Sequence, residues 1–168
     1  MELVSRFFKA PSSSFFLFGP RGTGKSTFVR QSFPDALYVD LLDPERIRFF
    51  SAKPERLREL TDVQSAPGHV IIDGIQRVPE LLPVVHSLIE SKKRLTFLLT
   101  GSGARKLKRT GVDLLGGRAL LRTMHPFMAA ELGPRFDFDQ ALKYGLLPVV
   151  LTSENPADVL RASAGARA

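Results

Sequence analysis

The chain has 168 residues, 43% of them hydrophobic, with 24 Lys and Arg against 17 Asp and Glu, for a formal charge of +7. That composition excludes a mainly disordered chain and suits a single domain, read as residues 1–161 with a frayed tail over 162–168. The absence of Cys excludes a disulfide scaffold, a thiolate zinc site, an iron–sulfur cluster and a cysteine nucleophile, and it fits a reducing cytoplasm.

In chain order, short apolar runs alternate with segments of helical period. Phe15-Phe16-Leu17-Phe18 ends at Gly19, Leu37-Tyr38-Val39 at Asp40, Val70-Ile71-Ile72 at Asp73, and Leu95-Thr96-Phe97-Leu98-Leu99 at Thr100-Gly101. Each is too short and too apolar for a surface helix, so each is read as a buried strand. Helices are expected between them. One runs from Lys25 to Ser32. One spans Pro44 to Phe50, with Asp43 as N-cap, and another spans Pro54 to Leu60. A further helix, Pro79 to Glu90, carries Leu81, Leu82, Val85, Leu88 and Ile89 on one face. A short basic helix is expected over Ala104 to Arg109, a fifth strand at Ala119-Leu120-Leu121, and short helices over Pro126 to Leu132 and Asp139 to Tyr144. Alternation of this kind predicts an α/β fold, a parallel sheet with helices on both faces. Apolar runs such as Phe15 to Phe18 and Leu146 to Leu151 fall far short of the ~20 residues of a spanning helix, so no membrane association is expected.

Gly19-Pro20-Arg21-Gly22-Thr23-Gly24-Lys25-Ser26 matches the phosphate-binding pattern G-x-x-x-x-G-K-[ST]. A chance match in a chain of this length is roughly one in a few hundred on average residue usage. The motif also follows an apolar strand and opens a helix, which is the setting it needs. Glycines let the loop wrap phosphates with its N–H groups turned inward, and the helix N-terminus adds its positive end. Lys25 is the expected point charge on the β- and γ-phosphates, and the Ser26 hydroxyl an expected Mg²⁺ ligand.

Such a loop works with an acid at the end of a neighbouring strand. Asp73 is the expected Mg²⁺-holding carboxylate, with Asp40 as runner-up. The following residue is Gly74, which has no group able to accept a proton or orient water. Loss of a water-activating base typically costs ~10²–10⁴ in rate, so nucleotide binding is expected to survive better than hydrolysis. Gly74→Glu is accordingly expected to raise hydrolysis where the rest of the site is intact.

From Phe15 to about Leu151 the chain resembles AAA+ superfamily ATPases of the prokaryotic type that usually precede a C-terminal domain of unknown function. The resemblance rests on Phe18 to Thr27, Ile71-Ile72-Asp73-Gly74-Ile75-Gln76-Arg77-Val78-Pro79, Leu99-Thr100-Gly101-Ser102, and Gly117-Arg118-Ala119 leading to Pro126-Phe127 and Glu131. It implies a three-layer P-loop fold with about five parallel strands, the P-loop strand lying between the fifth and the fourth. It assigns the ATP phosphates to Gly19, Pro20, Arg21, Gly22, Thr23, Gly24, Lys25, Ser26 and Thr27, and Mg²⁺ to Ser26 and Asp73. It makes Ser102 or Thr100 a sensor of the γ-phosphate. It also makes Arg118 a candidate arginine finger, supplied to a neighbouring subunit of a homo-oligomer; the alternative is a structural or surface arginine. The catalytic set under this resemblance is Lys25, Asp73 and Arg118. Three departures stand out: Gly74 replaces the family's Glu, Gly103 replaces its usual second Ser, and the sequence stops soon after Leu160 where the family runs on into another domain, so a truncated, fragmentary or decaying copy is expected.

His69, His86 and His125 show no metal-ligand spacing, and no aromatic platform for nucleic acid is evident. No Asn-Lys-x-Asp guanine-reading pattern occurs, which favours ATP. The charge is localised. Between Lys92 and Arg122, nine basic residues face only Asp113, so this segment carries +8 and the rest of the chain −1. Positive potential concentrated beside the presumed sensor strand suits a triphosphate. The leading expectation is therefore an ATP·Mg²⁺-binding ATPase domain of weak activity. The alternative is a non-hydrolysing, nucleotide-gated module that binds nucleic acid or a protein partner through residues 92–122. A small-molecule phosphotransferase ranks last.

Overall fold

The computed structural model describes residues 4–63, 68–91, 94–103, 107 and 115–165. The chain divides into two compact units. One comprises Pro11–Gly19 and Lys25–Thr123; the other comprises Met1–Ala10, Pro20–Gly24 and Met124–Ala168.

The first unit is a five-stranded parallel sheet with helices: β1 (Phe15–Phe18), α1 (Lys25–Ser32), β2 (Leu37–Asp40), α2 (Pro44–Ala52), α3 (Arg56–Asp62), β3 (Gly68–Asp73), α4 (Leu81–Ser91), β4 (Leu95–Gly101) and β5 (Leu120–Thr123). The strand order is β2-β3-β4-β1-β5, so the P-loop strand lies between the fourth and the fifth, as expected. Of the expected helix over 104–109 only Leu107 is among the described residues, and it is buried. A 3₁₀ turn, Ile75–Arg77, follows β3, and α4 begins two residues later than its Pro signal indicated.

Burial explains why these runs are strands. All four residues of β1 are buried, as are the last four of β3 and of β4, because the interior strands of a parallel sheet are covered on both faces. Alternation divides their side chains. Phe16, Phe18, Val39, Val70, Ile72, Phe97 and Leu99 join Phe50 of α2, Leu57 of α3 and the apolar stripe of α4 in one core. Phe15, Leu17, Ile71 and Leu98 are buried on the opposite face. β5 is an edge strand and exposed throughout.

Register sets the functional end of the sheet. Tyr38 pairs with Ile71 and Asp40 with Asp73; Asp73 pairs with Thr100; Thr100 pairs with Leu17. Tyr38, Asp73 and Thr100 therefore share one face. α2 starts as its sequence predicts: Pro44 occupies the first turn and the Asp43 carboxylate accepts from the Glu45 amide at 2.9 Å.

The second unit contains α5 (Ala129–Leu132), α6 (Phe138–Tyr144), α7 (Pro148–Leu151) and α8 (Pro156–Gly165). The sequence pattern did not reveal α7 or α8, and α8 runs into the segment expected to fray. Glu131 organises this unit. Its carboxylate accepts from the Phe7 amide at 2.7 Å, the Met128 amide at 2.9 Å and the Arg6 guanidinium at 3.2 Å. Arg6 also donates to the His125 carbonyl and stacks over the Phe127 ring at 4.4 Å. Burial holds the Arg6 pKa below its ordinary value, and Glu131 opposes that shift. No helix among the described residues is long and apolar enough to cross a membrane.

Candidate nucleotide site

Lys25 is the first residue of α1, directly after the glycine-rich loop, and Ser26 and Thr27 lie in its first turn. The Lys25 ammonium donates to the Gly19 carbonyl at 2.8 Å. Within the loop, Thr23 is fully buried and its hydroxyl donates to the Pro20 carbonyl at 2.9 Å, while Arg21 is exposed. Gly22 has φ +80°, and a Cβ there would lie 2.4 Å from Val149 Cγ1. The Val149 amide donates to the Gly22 carbonyl at 3.3 Å. Glycine at position 22 thus meets two demands, a left-handed backbone and contact with α7.

Asp73 ends β3 and is only 4% exposed. Thr100, at 1% exposure, donates its hydroxyl to Asp73 Oδ1, and the Tyr38 phenol donates to Asp73 Oδ2. Burial and the bond to Asp73 push the Tyr38 phenol well above its ordinary pKa, so it remains a donor. Each carboxylate oxygen keeps a further acceptor direction. Asp40, the runner-up, is occupied otherwise: it accepts from the Leu42 amide at 2.9 Å and pairs with Arg30 at 3.3 Å.

The residue after Asp73 has a conformational reason to be glycine. Gly74 lies at φ +88°, ψ 35°, the left-handed region. Its amide donates to the Thr100 carbonyl at 3.2 Å and approaches the Thr100 hydroxyl at 3.3 Å. A Cβ there would meet Leu42 Cδ2 at 3.2 Å. The turn that carries Gly74 is therefore tied to the hydroxyl that orients Asp73. The simple expectation that Gly74→Glu raises hydrolysis takes no account of this backbone.

Of the two sensor candidates, Thr100 bonds Asp73, whereas Ser102 lies just past the end of β4. Arg118 precedes β5, which runs parallel to β1, so it lies at the end of the sheet opposite Gly19 and Lys25. There it ion-pairs with Glu90 and donates to the Gly116 carbonyl at 3.2 Å. Of the nine basic residues in 92–122, Arg94, Arg118 and Arg122 are exposed and the other six lie outside the described residues.

A family model described as an AAA domain matches residues 12–133. The chain belongs to the AAA domain family. The match takes in the glycine-rich loop, Asp73, Thr100 and Arg118. No curated protein matches it. Among solved structures it is similar to PCH-2 of C. elegans, at 16% identity and a TM-score of 0.46, over 70% of this chain and 36% of that one. The chain thus spans about a third of that protein's length. Tyr38 was not singled out from the sequence, because its relevance depends on the β2–β3 register. The Val149 contact was missed too, although Pro148 at the first turn of α7 is a helix-start signal.

Proposed function

We propose that this AAA domain binds ATP with Mg²⁺ and hydrolyses it slowly. The observation that carries the reading is Asp73, almost wholly buried at the C-terminal end of β3 with a hydroxyl donor on each carboxylate oxygen. Thr100, one of those donors, pairs with Leu17 on the strand that leads into the phosphate loop.

The donor set fits Mg²⁺. That ion keeps most of its water and takes one or two protein oxygens beside the phosphates. One buried carboxylate and the hydroxyl of Ser26 are a set of that size, and the described residues hold no cluster of three metal-ligating side chains. Bound there, Mg²⁺ would offset the phosphate charge and help hold the phosphates in place. The chain's own residues do the rest. The loop N–H groups and the N-terminus of α1 receive phosphate oxygens, Lys25 places a charge on them, and Thr100 and Ser102 supply polar groups at the end of β4. Position 74 supplies no base, which makes hydrolysis slow. Arg118, at the far end of its own sheet, serves the nucleotide of a neighbouring subunit in a homo-oligomer.

Titration of a fluorescent ATP analogue with and without Mg²⁺, followed by single-turnover hydrolysis, tests the reading. Binding should be strengthened by Mg²⁺ and lost in Lys25→Ala. Undiminished binding by Lys25→Ala overturns the assignment, and turnover in the usual ATPase range overturns the claim about position 74.

A further inference from the structure

Tyr38 sits on β2, next to β3, and its hydroxyl reaches Asp73 Oδ2. Alternation along the paired strands accounts for the contact. Tyr38 pairs with Ile71, and Asp73 is two residues further on, on the same face. Arg30 of α1 fixes the phenol from the other side. Its guanidinium stacks over the Tyr38 ring at 4.2 Å while it pairs with Asp40 at 3.3 Å, the residue two beyond Tyr38. The phenol is therefore held between the helix that follows the phosphate loop and the strand that carries the buried acid.

We propose that Tyr38 is a positioning residue for Mg²⁺: together with Thr100 it fixes the Asp73 carboxylate, so that its remaining lone pairs face the metal's water shell. The inference rests on the proposed ATP·Mg²⁺ function. Two different strands, β2 and β4, each supply one hydroxyl to one carboxylate. With one donor removed, Asp73 can rotate about χ2, and each orientation other than the productive one weakens metal binding. Gly74 places no carboxylate beside Asp73, so the orientation of Asp73 falls to these hydroxyls. Tyr38 touches neither nucleotide nor metal in this account; it acts through Asp73.

Tyr38→Phe removes only the hydroxyl and leaves the ring under Arg30. The assay is nucleotide binding at fixed ATP analogue, first without divalent ion and then across a Mg²⁺ titration. In Tyr38→Phe the Mg²⁺-free affinity should match wild type, whereas the Mg²⁺ concentration for half-maximal enhancement should rise about threefold to tenfold, less than the full effect of a lost hydrogen bond to a charged group because Thr100 still holds the other carboxylate oxygen. A second readout is spectroscopic. The chain has no Trp and two Tyr, Tyr38 and Tyr144, so tyrosine fluorescence reports on Tyr38 once the Tyr144 emission, read from Tyr38→Phe, is subtracted. Addition of Mg²⁺ to the ADP-loaded protein should change that emission in wild type and in Arg30→Lys, but not in Tyr38→Phe. An unchanged Mg²⁺ midpoint in Tyr38→Phe, with wild type responding normally, overturns the role of Tyr38 alone. Equal losses with and without Mg²⁺ also overturn it, since they indicate a merely structural role. Absence of nucleotide binding in folded wild type overturns the proposed function and this inference with it.

Discussion

Replacement of Gly74 tests the backbone argument at the site most directly. The residue has φ +88°, where an L side chain costs about 1–2 kcal/mol, because Cβ crowds the following carbonyl. The Cβ would also come within 3.2 Å of Leu42 Cδ2, but Leu42 is 53% exposed and its side-chain end can move aside at little cost. Backbone strain is thus the main term. Gly74→Ala should lower stability by about 1–2 kcal/mol, a drop of roughly 2–8 °C in Tm for a chain of this size. Gly74→Glu should lose a similar amount. Relaxation to negative φ offers no escape, because it redirects the chain after position 74 and breaks the bond that the Arg77 amide donates to the Gly74 carbonyl at 2.9 Å. Gly74→Asn should be the mildest of the three, since Asn enters the left-handed region more readily. Thermal and urea unfolding of the three variants, with Mg²⁺-dependent nucleotide binding on the same samples, provide the measurement. Gly74→Ala as stable as wild type to within about 0.5 kcal/mol, or more stable than Gly74→Asn, would refute the strain argument.

Gly22→Ala should destabilise by about 2–4 kcal/mol, combining left-handed strain with a Cβ placed 2.4 Å from Val149. Addition of Val149→Ala should recover about 1 kcal/mol or more, and an additive double-mutant cycle would show that the contact is not made. Glu131→Ala leaves the guanidinium of Arg6 buried without its carboxylate and should cost roughly 3 kcal/mol, measured by urea unfolding, whereas the paired change Arg6→Met with Glu131→Gln should cost clearly less. Asp73→Asn should abolish the Mg²⁺ enhancement of nucleotide binding while sparing much of the Mg²⁺-free affinity; retention of the full enhancement would remove Asp73 from the metal site.

The sheet was legible in the sequence because its strands are covered on both faces. Such strands read as continuous apolar runs, and Phe15 to Phe18 and Val70 to Ile72 could be little else. The phosphate loop was legible because its physics demands fixed spacing. The helices of the second unit were harder. α7 has four residues and α8 has a weakly apolar sequence, so neither yields a periodic signal over enough turns. Glu131 was noted only as part of a family pattern. Its bond from the Met128 amide is local, but its contacts with Arg6 and Phe7 lie more than a hundred positions away, which no local window contains.

Position 74 shows why a site can be half readable. The sequence reports the missing carboxylate, and chemistry alone turns that into weak hydrolysis. It does not report that the turn is left-handed, nor that its amide reaches Thr100, and these decide whether the deficit can be repaired by substitution. Tyr38 is the complementary case. An aromatic residue in an apolar run reads as core, and only the register with Ile71 turns its hydroxyl into a partner of Asp73. Under the proposed function the two observations belong together. The turn that excludes a side chain beside Asp73 also fixes Thr100, and Tyr38 fixes the other oxygen from the neighbouring strand. Asp73 is thereby oriented with care in a site that has no base at position 74. On that proposal such a site favours retention of nucleotide over its turnover, and Arg118, paired with Glu90 at the opposite end of the sheet, lies away from Gly19 and Lys25.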